Sequence, residues 1–157
     1  MSIKSMGKIA AVAAAAGLIL TGCANDDASQ ARAQEETCGV FVGANAKANE
    51  ALNRAMQSGD AGADRAASIL ESAALDIRNH SFDRTDSATA PGSDETIPLR
   101  TTLQVQAEFF DEMASAVEED GINAMNTVMP EDIEVNGMTY QEATDHLTSY
   151  CGSYFGA

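Results

Sequence analysis

From residue 31 onward, apolar positions return every three or four residues, the period of one face of a helix. The first run spans 31–57, with Cys38, Phe41, Asn45, Ala48, Leu52 and Met56 on one side. Gly39 and Gly43 weaken its early part, and the turn-rich "QSGDAGAD" ends it. A second run starts near Asp60, which reads as its N-cap, and ends near Asn79. Its stripe is Ala66, Ile69, Leu70, Ala73 and Ile77, and Arg78 stands where a cation suits the helix dipole. A third run carries Pro98 in its first turn, where proline is tolerated. It continues through Leu99, Leu103, Gln106, Phe110, Met113 and Val117, is widened by Phe109, and stops at Gly121. A fourth is announced by "TYQE", in which Thr139 and Glu142 have the spacing of a capping box. Ala143, Leu147, Tyr150, Cys151 and Tyr154 form its inner face.

The links between these runs differ in character. Residues 80–96, "HSFDRTDSATAPGSDET", hold one large apolar residue, Phe82, and no evident ligand chemistry; they read as a disordered loop. In "IEVNGMTY", Asn136-Gly137 sits between alternating apolar positions and predicts a very short β-hairpin. Four amphipathic helices with mostly short links predict an all-α fold, a four-helix up-down bundle. Composition agrees. Alanine supplies much of the 45% hydrophobic content, aromatics are 5%, and tryptophan is absent, which suits close-packed helices better than sheets.

The first residues follow another logic. "MSIKSMGKIA" has two lysines and no acid, and Ile9 to Leu20 is a run of 12 uncharged residues. A membrane span needs about 20, so the pattern is that of a secretory leader. It ends in Leu20-Thr21-Gly22-Cys23. This resembles the lipobox of bacterial lipoprotein precursors: an aliphatic residue, a small one, Gly or Ala, then cysteine. The resemblance implies that residues 1–22 are a cleaved signal peptide and that Cys23 takes a diacylglyceryl group. The mature chain of 135 residues would begin at Cys23 and sit, lipid-anchored, on the extracytoplasmic face of the cell membrane. Two acyl chains suffice for stable anchoring. Residues 23–30 then read as the lipidated cysteine and a polar tether, seven extended residues reaching about 23 Å. The helical domain follows from 31 to 157.

That assignment changes the meaning of the three cysteines. With Cys23 given to lipid, Cys38 and Cys151 remain, and outside the cytoplasm such a pair is expected to be oxidised. There is no C-x-x-C spacing for a redox pair, and two cysteines alone make a poor metal site. In an up-down bundle the first and fourth helices are antiparallel, which places Cys38 and Cys151 side by side. The wider chain resembles small uncharacterised helical lipoproteins of Gram-positive, high-GC bacteria, through "TCGVF", "IPLRTTL" and "YQEATDHLTSYCG". This second resemblance implies fold and location, and no ligand.

Charge narrows the partners. The chain has 24 acidic and 9 basic residues, a formal −15; with Lys4 and Lys8 set aside, 24 acids face 7 bases, or −17. Such a surface repels nucleic acid and anionic headgroups. It favours a basic protein or a cell-envelope partner.

Catalytic and metal chemistry find little footing. Glu118, Glu119 and Asp120 with Glu131, Asp132 and Glu134 could converge on a hard cation. Asp132-x-Glu134-x-Asn136-Gly137 even imitates the start of an EF-hand loop, but the twelfth position is Ala143, and Pro130 blocks the incoming helix. His80 and His146 lack a histidine partner at i+4, and no H-E-x-x-H, G-x-S-x-G or glycine-rich phosphate loop occurs. Met125 and Met129 could touch a soft metal, but they read as gap fillers. No catalytic residue, metal ligand or cofactor is expected. The leading expectation is a non-enzymatic binding protein on the cell membrane. The alternatives are a small-ligand or metal-ion carrier at the cell surface, and a phage-exclusion or immunity lipoprotein. A filled core would favour partner binding; a polar cavity of several hundred Å³ would favour a carrier.

Overall fold

The computed structural model describes residues 24–82 and 87–154. Four helices dominate: α1 (Ala24–Ser58), α2 (Ala63–Phe82), α3 (Leu99–Asp120) and α4 (Tyr140–Cys151). Two small antiparallel hairpins accompany them. The first pairs β1 (Ala88–Thr89) with β2 (Thr96–Ile97), and the second pairs β3 (Glu134–Val135) with β4 (Met138–Thr139). The fold is the expected all-α bundle, with two hairpins rather than one.

Neighbouring helices pack in chain order, and α2 against α3 is the most extensive contact. Ala44, Ala51 and Ala55 of α1 and Ala66, Ala67, Ala73 and Ala74 of α2 are all buried in the core. Alanine on both sides lets the two backbones approach closely without large knobs, and it is the strongest helix former. Bulk enters at Leu70, Ile77, Ile97, Leu103, Val105, Val117 and Leu147, the largest fully buried apolar side chains among the described residues. α4 is short and touches α1 only slightly. Across that weak seam the Cys38–Cys151 disulfide joins them, with Cα atoms 5.5 Å apart and both residues fully buried.

Local signals explain the helix ends. Thr139 and Glu142 form the complete capping box at the start of α4: the Thr139 side chain accepts from the Glu142 N–H, and the Glu142 carboxylate accepts from the Thr139 N–H at 2.9 Å. Asn136 and Gly137 both have positive φ, 52° and 84°, as the tight turn between β3 and β4 requires. α3 follows Pro98 and stops at Gly121, whose φ of 81° and ψ of −176° suit glycine alone; its N–H returns to the Val117 carbonyl.

Several expectations are corrected. α1 begins at Ala24, so residues 24–30 are helical and not an extended tether; seven helical residues rise only about 10 Å. The helical start at Asp60 is also displaced: Gly59–Gly62 is one 3-10 turn, and α2 begins at Ala63. Leu52 and Met56 do not face the core; they are 38% and 70% exposed, while Ala51 and Ala55, each one residue earlier, are buried. Tyr154 lies beyond α4 in a 3-10 turn (Gly152–Tyr154) and is 39% exposed. Of the segment 80–96, residues 83–86 lie outside the described residues, and the rest is not a featureless loop. α2 continues to Phe82, and the β1–β2 hairpin buries Ala90 and Ile97 in the main core.

Candidate functional site

The β1–β2 hairpin borders a concavity among the described residues. It packs beside the N-terminal half of α1, the start of α3 and the end of α4, and together they enclose a cleft of about 740 Å³. Gln30, Ala31, Ala33 and Gln34 form the helical wall, residues 87–93 form the opposite wall, and Leu99 and Tyr150 lie at the base. The volume is in the range of small-ligand sites. None of the described residues that line it carries a charge at pH 7. The polar groups are amides and hydroxyls: Gln30, Gln34, Ser87, Thr89 and Ser93.

Both walls are held in place. Gln34 Nε2 donates to the Tyr150 carbonyl, one turn from Cys38 on one side and next to Cys151 on the other. On the hairpin side, Ser149 Oγ donates to Glu95 Oε2 at 3.2 Å. His146 Nδ1 is buried and stands 3.3 Å from Glu95 Oε1, without hydrogen-bonding geometry. Ser149, His146 and Glu95 have the residue types of a catalytic triad but not its wiring. A nucleophilic serine must give its proton to the imidazole, whereas Ser149 gives its hydrogen bond to the carboxylate. The cluster therefore acts as a clasp from α4 to the hairpin.

The other candidate groups are dispersed. Among the described residues, no three His, Cys, Asp or Glu side chains are placed to hold a metal ion; the carboxylates at 118–120 and 131–134 do not converge. His80 is hydrogen-bonded to the buried Thr37 hydroxyl at 3.1 Å, tying α2 to α1. Met125 packs against the core and Met129 is exposed. Tyr140 lies on Phe109 with ring centroids 4.5 Å apart, and burial pushes its phenol pKa up, opposed by a hydrogen bond with Thr144. The Glu142 carboxyl is held below its usual value by hydrogen bonds from Thr139. Leu20, Thr21, Gly22 and Cys23 lie outside the described residues.

No helix among the described residues is long and apolar enough to cross a membrane. Comparison with protein-family models, curated proteins and solved structures finds no match.

The cleft was missed at the sequence level because its walls are far apart in the chain. The one local cue was Pro91-Gly92, a turn dipeptide between short β-compatible pairs. Nothing local announces that Glu95 meets a helix 54 positions later.

Proposed function

We propose that this chain is a lipid-anchored extracytoplasmic protein that acts by non-enzymatic binding to a protein or cell-envelope partner. The observation that supports the reading is the pairing of Cys38 with Cys151. It leaves Cys23 as the odd thiol, in the sequence Leu20-Thr21-Gly22-Cys23, and structural disulfides persist outside the reducing cytoplasm. A formal charge of −15 favours basic partners. The start of α1 at Ala24 would hold the domain close to the bilayer. The helical core is occupied by side chains, which fits recognition at the surface better than an internal chamber.

The cleft under the β1–β2 hairpin favours a second reading, a small-ligand carrier at the cell surface. The metal-ion version of that reading has no donor set among the described residues. Crosslinking on intact cells, followed by identification of co-purified proteins, tests the main reading. A reproducible basic or envelope-associated partner is expected, and its loss in the Cys23→Ser variant would tie binding to anchoring. Absence of any reproducible partner would count against the binding role.

A further inference from the structure

We propose that the uncovered side of α1 between Val42 and Met56 is a docking seam for a second copy of this chain, the two α1 helices packing antiparallel. The inference is independent of the lipid anchor and of the partner reading above. Gln34 and Cys38, then Val42, Asn45, Asn49, Leu52 and Met56, recur every three or four residues and share one side of α1. α4 covers the first part of that side: Gln34 Nε2 donates to the Tyr150 carbonyl, and Cys38 is bonded to Cys151. Beyond Cys38, α4 turns away. Its Leu147 still enters the main core, whereas Ala143, one turn earlier, packs with Val105 and Ile133 in a separate cluster. The side that α4 leaves holds Val42, Leu52 and Met56, three of the seven large apolar side chains exposed among the described residues.

The register of this side matches itself. From Val42 to Met56 its positions alternate in steps of three and four, the a and d spacing of a two-helix seam. In an antiparallel pair centred at the level of residue 47, Val42 meets the partner's Leu52 and Asn45 meets the partner's Asn49. Asn45 Nδ2 donates to the Phe41 carbonyl at 2.9 Å, which leaves its Oδ1 to accept. The Asn49 amide has no hydrogen-bond partner among the described residues and supplies the donor. Two such bonds, one on each side of the two-fold axis, fix the register, as a polar residue at an a position does in coiled coils. α4 sets the direction. A parallel pair would bring both copies of α4 to one level on one side, each in the space the other needs. The antiparallel pair puts the α4-covered residues 34–38 opposite residues 56–60 of the other copy, where α1 ends at Ser58.

The self-matching register selects the occupant, and charge permits it. At −15, two copies of the chain repel each other overall. Residues 37–59 hold one of the 24 acids, Glu50, together with Lys47 and Arg54. Arg54 pairs with Glu50 of its own helix at 2.5 Å, and Lys47 pairs with Asp76 of α2. A seam this short belongs with the weak interfaces below about 1,200 Å², so the dimer should be reversible and form at about 0.1 mM.

The test uses the protein as isolated from the membrane fraction in mild detergent. Sedimentation equilibrium should show a concentration-dependent dimer. Leu52→Glu should weaken it at least about tenfold, because the seam would bury a charge without a partner. Met56→Glu should act in the same direction and leave the thermal melt unchanged, since Met56 is 70% exposed in one copy, which keeps the test decisive if Leu52→Glu unfolds. Both variants keep any anchor and so control for two chains sharing a micelle. Direction is read from a nitroxide on Met56→Cys, with unaltered protein treated alike as the blank for any thiol at Cys23. The antiparallel register separates the two labels by about 18 residues in level, or about 27 Å along the helices; a parallel pair would hold them about 10 Å apart. A protein that stays monomeric at about 1 mM, a dimer that both glutamate variants leave intact, or a label separation near the parallel value would overturn the proposal. A monomer whose Met56→Cys thiol crosslinks to a different protein on intact cells would overturn it in favour of a foreign helix.

Discussion

Breaking the Cys38–Cys151 bond should cost this protein as much as the largest single side-chain truncations. The bond closes a loop of 113 positions. In the chain-entropy model, releasing such a loop in the unfolded state lowers stability by about 4.8 kcal/mol at 25 °C. Two structural features hold the effect near that value. The cysteines are fully buried, and α4 has little other contact with α1, so no packed seam replaces the link. Small domains have about 5–15 kcal/mol in all, so the reduced protein should be marginal. Urea unfolding followed by circular dichroism, with and without reductant, measures this. For an m-value of about 1.5 kcal/mol/M, the midpoint should fall by about 3 M. The double variant Cys38→Ala/Cys151→Ala should match the reduced protein to within about 1 kcal/mol, because each truncation leaves only a small void. Hydrogen exchange should accelerate first in α4 and in the part of α1 around Cys38, the two segments the bond joins. A midpoint shift below about 0.5 M, or loosening confined to α2 and α3, would refute the reasoning.

Other substitutions carry opposite signs. Gly121→Ala should destabilise by about 1–3 kcal/mol in thermal melts, because φ of 81° with ψ of −176° is strained for any side chain. Gly39→Ala and Gly43→Ala should each stabilise by about 0.5–1 kcal/mol, since both lie inside α1 and an added Cβ meets nothing within 4 Å. Leu70→Ala should cost about 2–5 kcal/mol in urea unfolding, as Leu70 is fully buried at the α2 core face. Thr139→Ala should cost about 1 kcal/mol through loss of the α4 cap. Glu142 is a depressed carboxyl. Its contribution should be complete above its ordinary value of 4.5 and disappear as pH falls through the lower folded-state value. Glu142→Gln should remove that part of the acid dependence, and an unchanged acid titration of stability would exclude the capping contribution.

The sequence and the structure agree best where each local signal had one meaning. In α3, large apolar residues recur at helical spacing, with Ala107 and Ala114 buried among them, and Pro98 and Gly121 mark both ends. In α4, the capping box and the Asn136-Gly137 turn act through neighbouring residues, so both are visible in a short window. α1 was harder to read. Alanine serves both as a helix former and as the filling of a tight seam, so its pattern marks no face. Leu52 and Met56 drew the stripe one position away from Ala51 and Ala55, which are the buried ones. The β1–β2 hairpin was hidden because its strands are two residues each, and their stability comes from Ala90 and Ile97 entering a core built by distant helices. The clasp of Glu95 on α4 and the cleft it steadies are products of that tertiary placement.

The central claim is that the third cysteine belongs to a lipid. The most direct measurement is the intact mass of the protein extracted from the membrane fraction, with and without alkylation of free thiols. The account predicts a chain that begins at Cys23, carries a diacylglyceryl group, and has no alkylatable thiol until Cys38–Cys151 is reduced. A chain that retains residues 1–22 with an unmodified Cys23 thiol, and is unchanged in mass and location by Cys23→Ser, would contradict it.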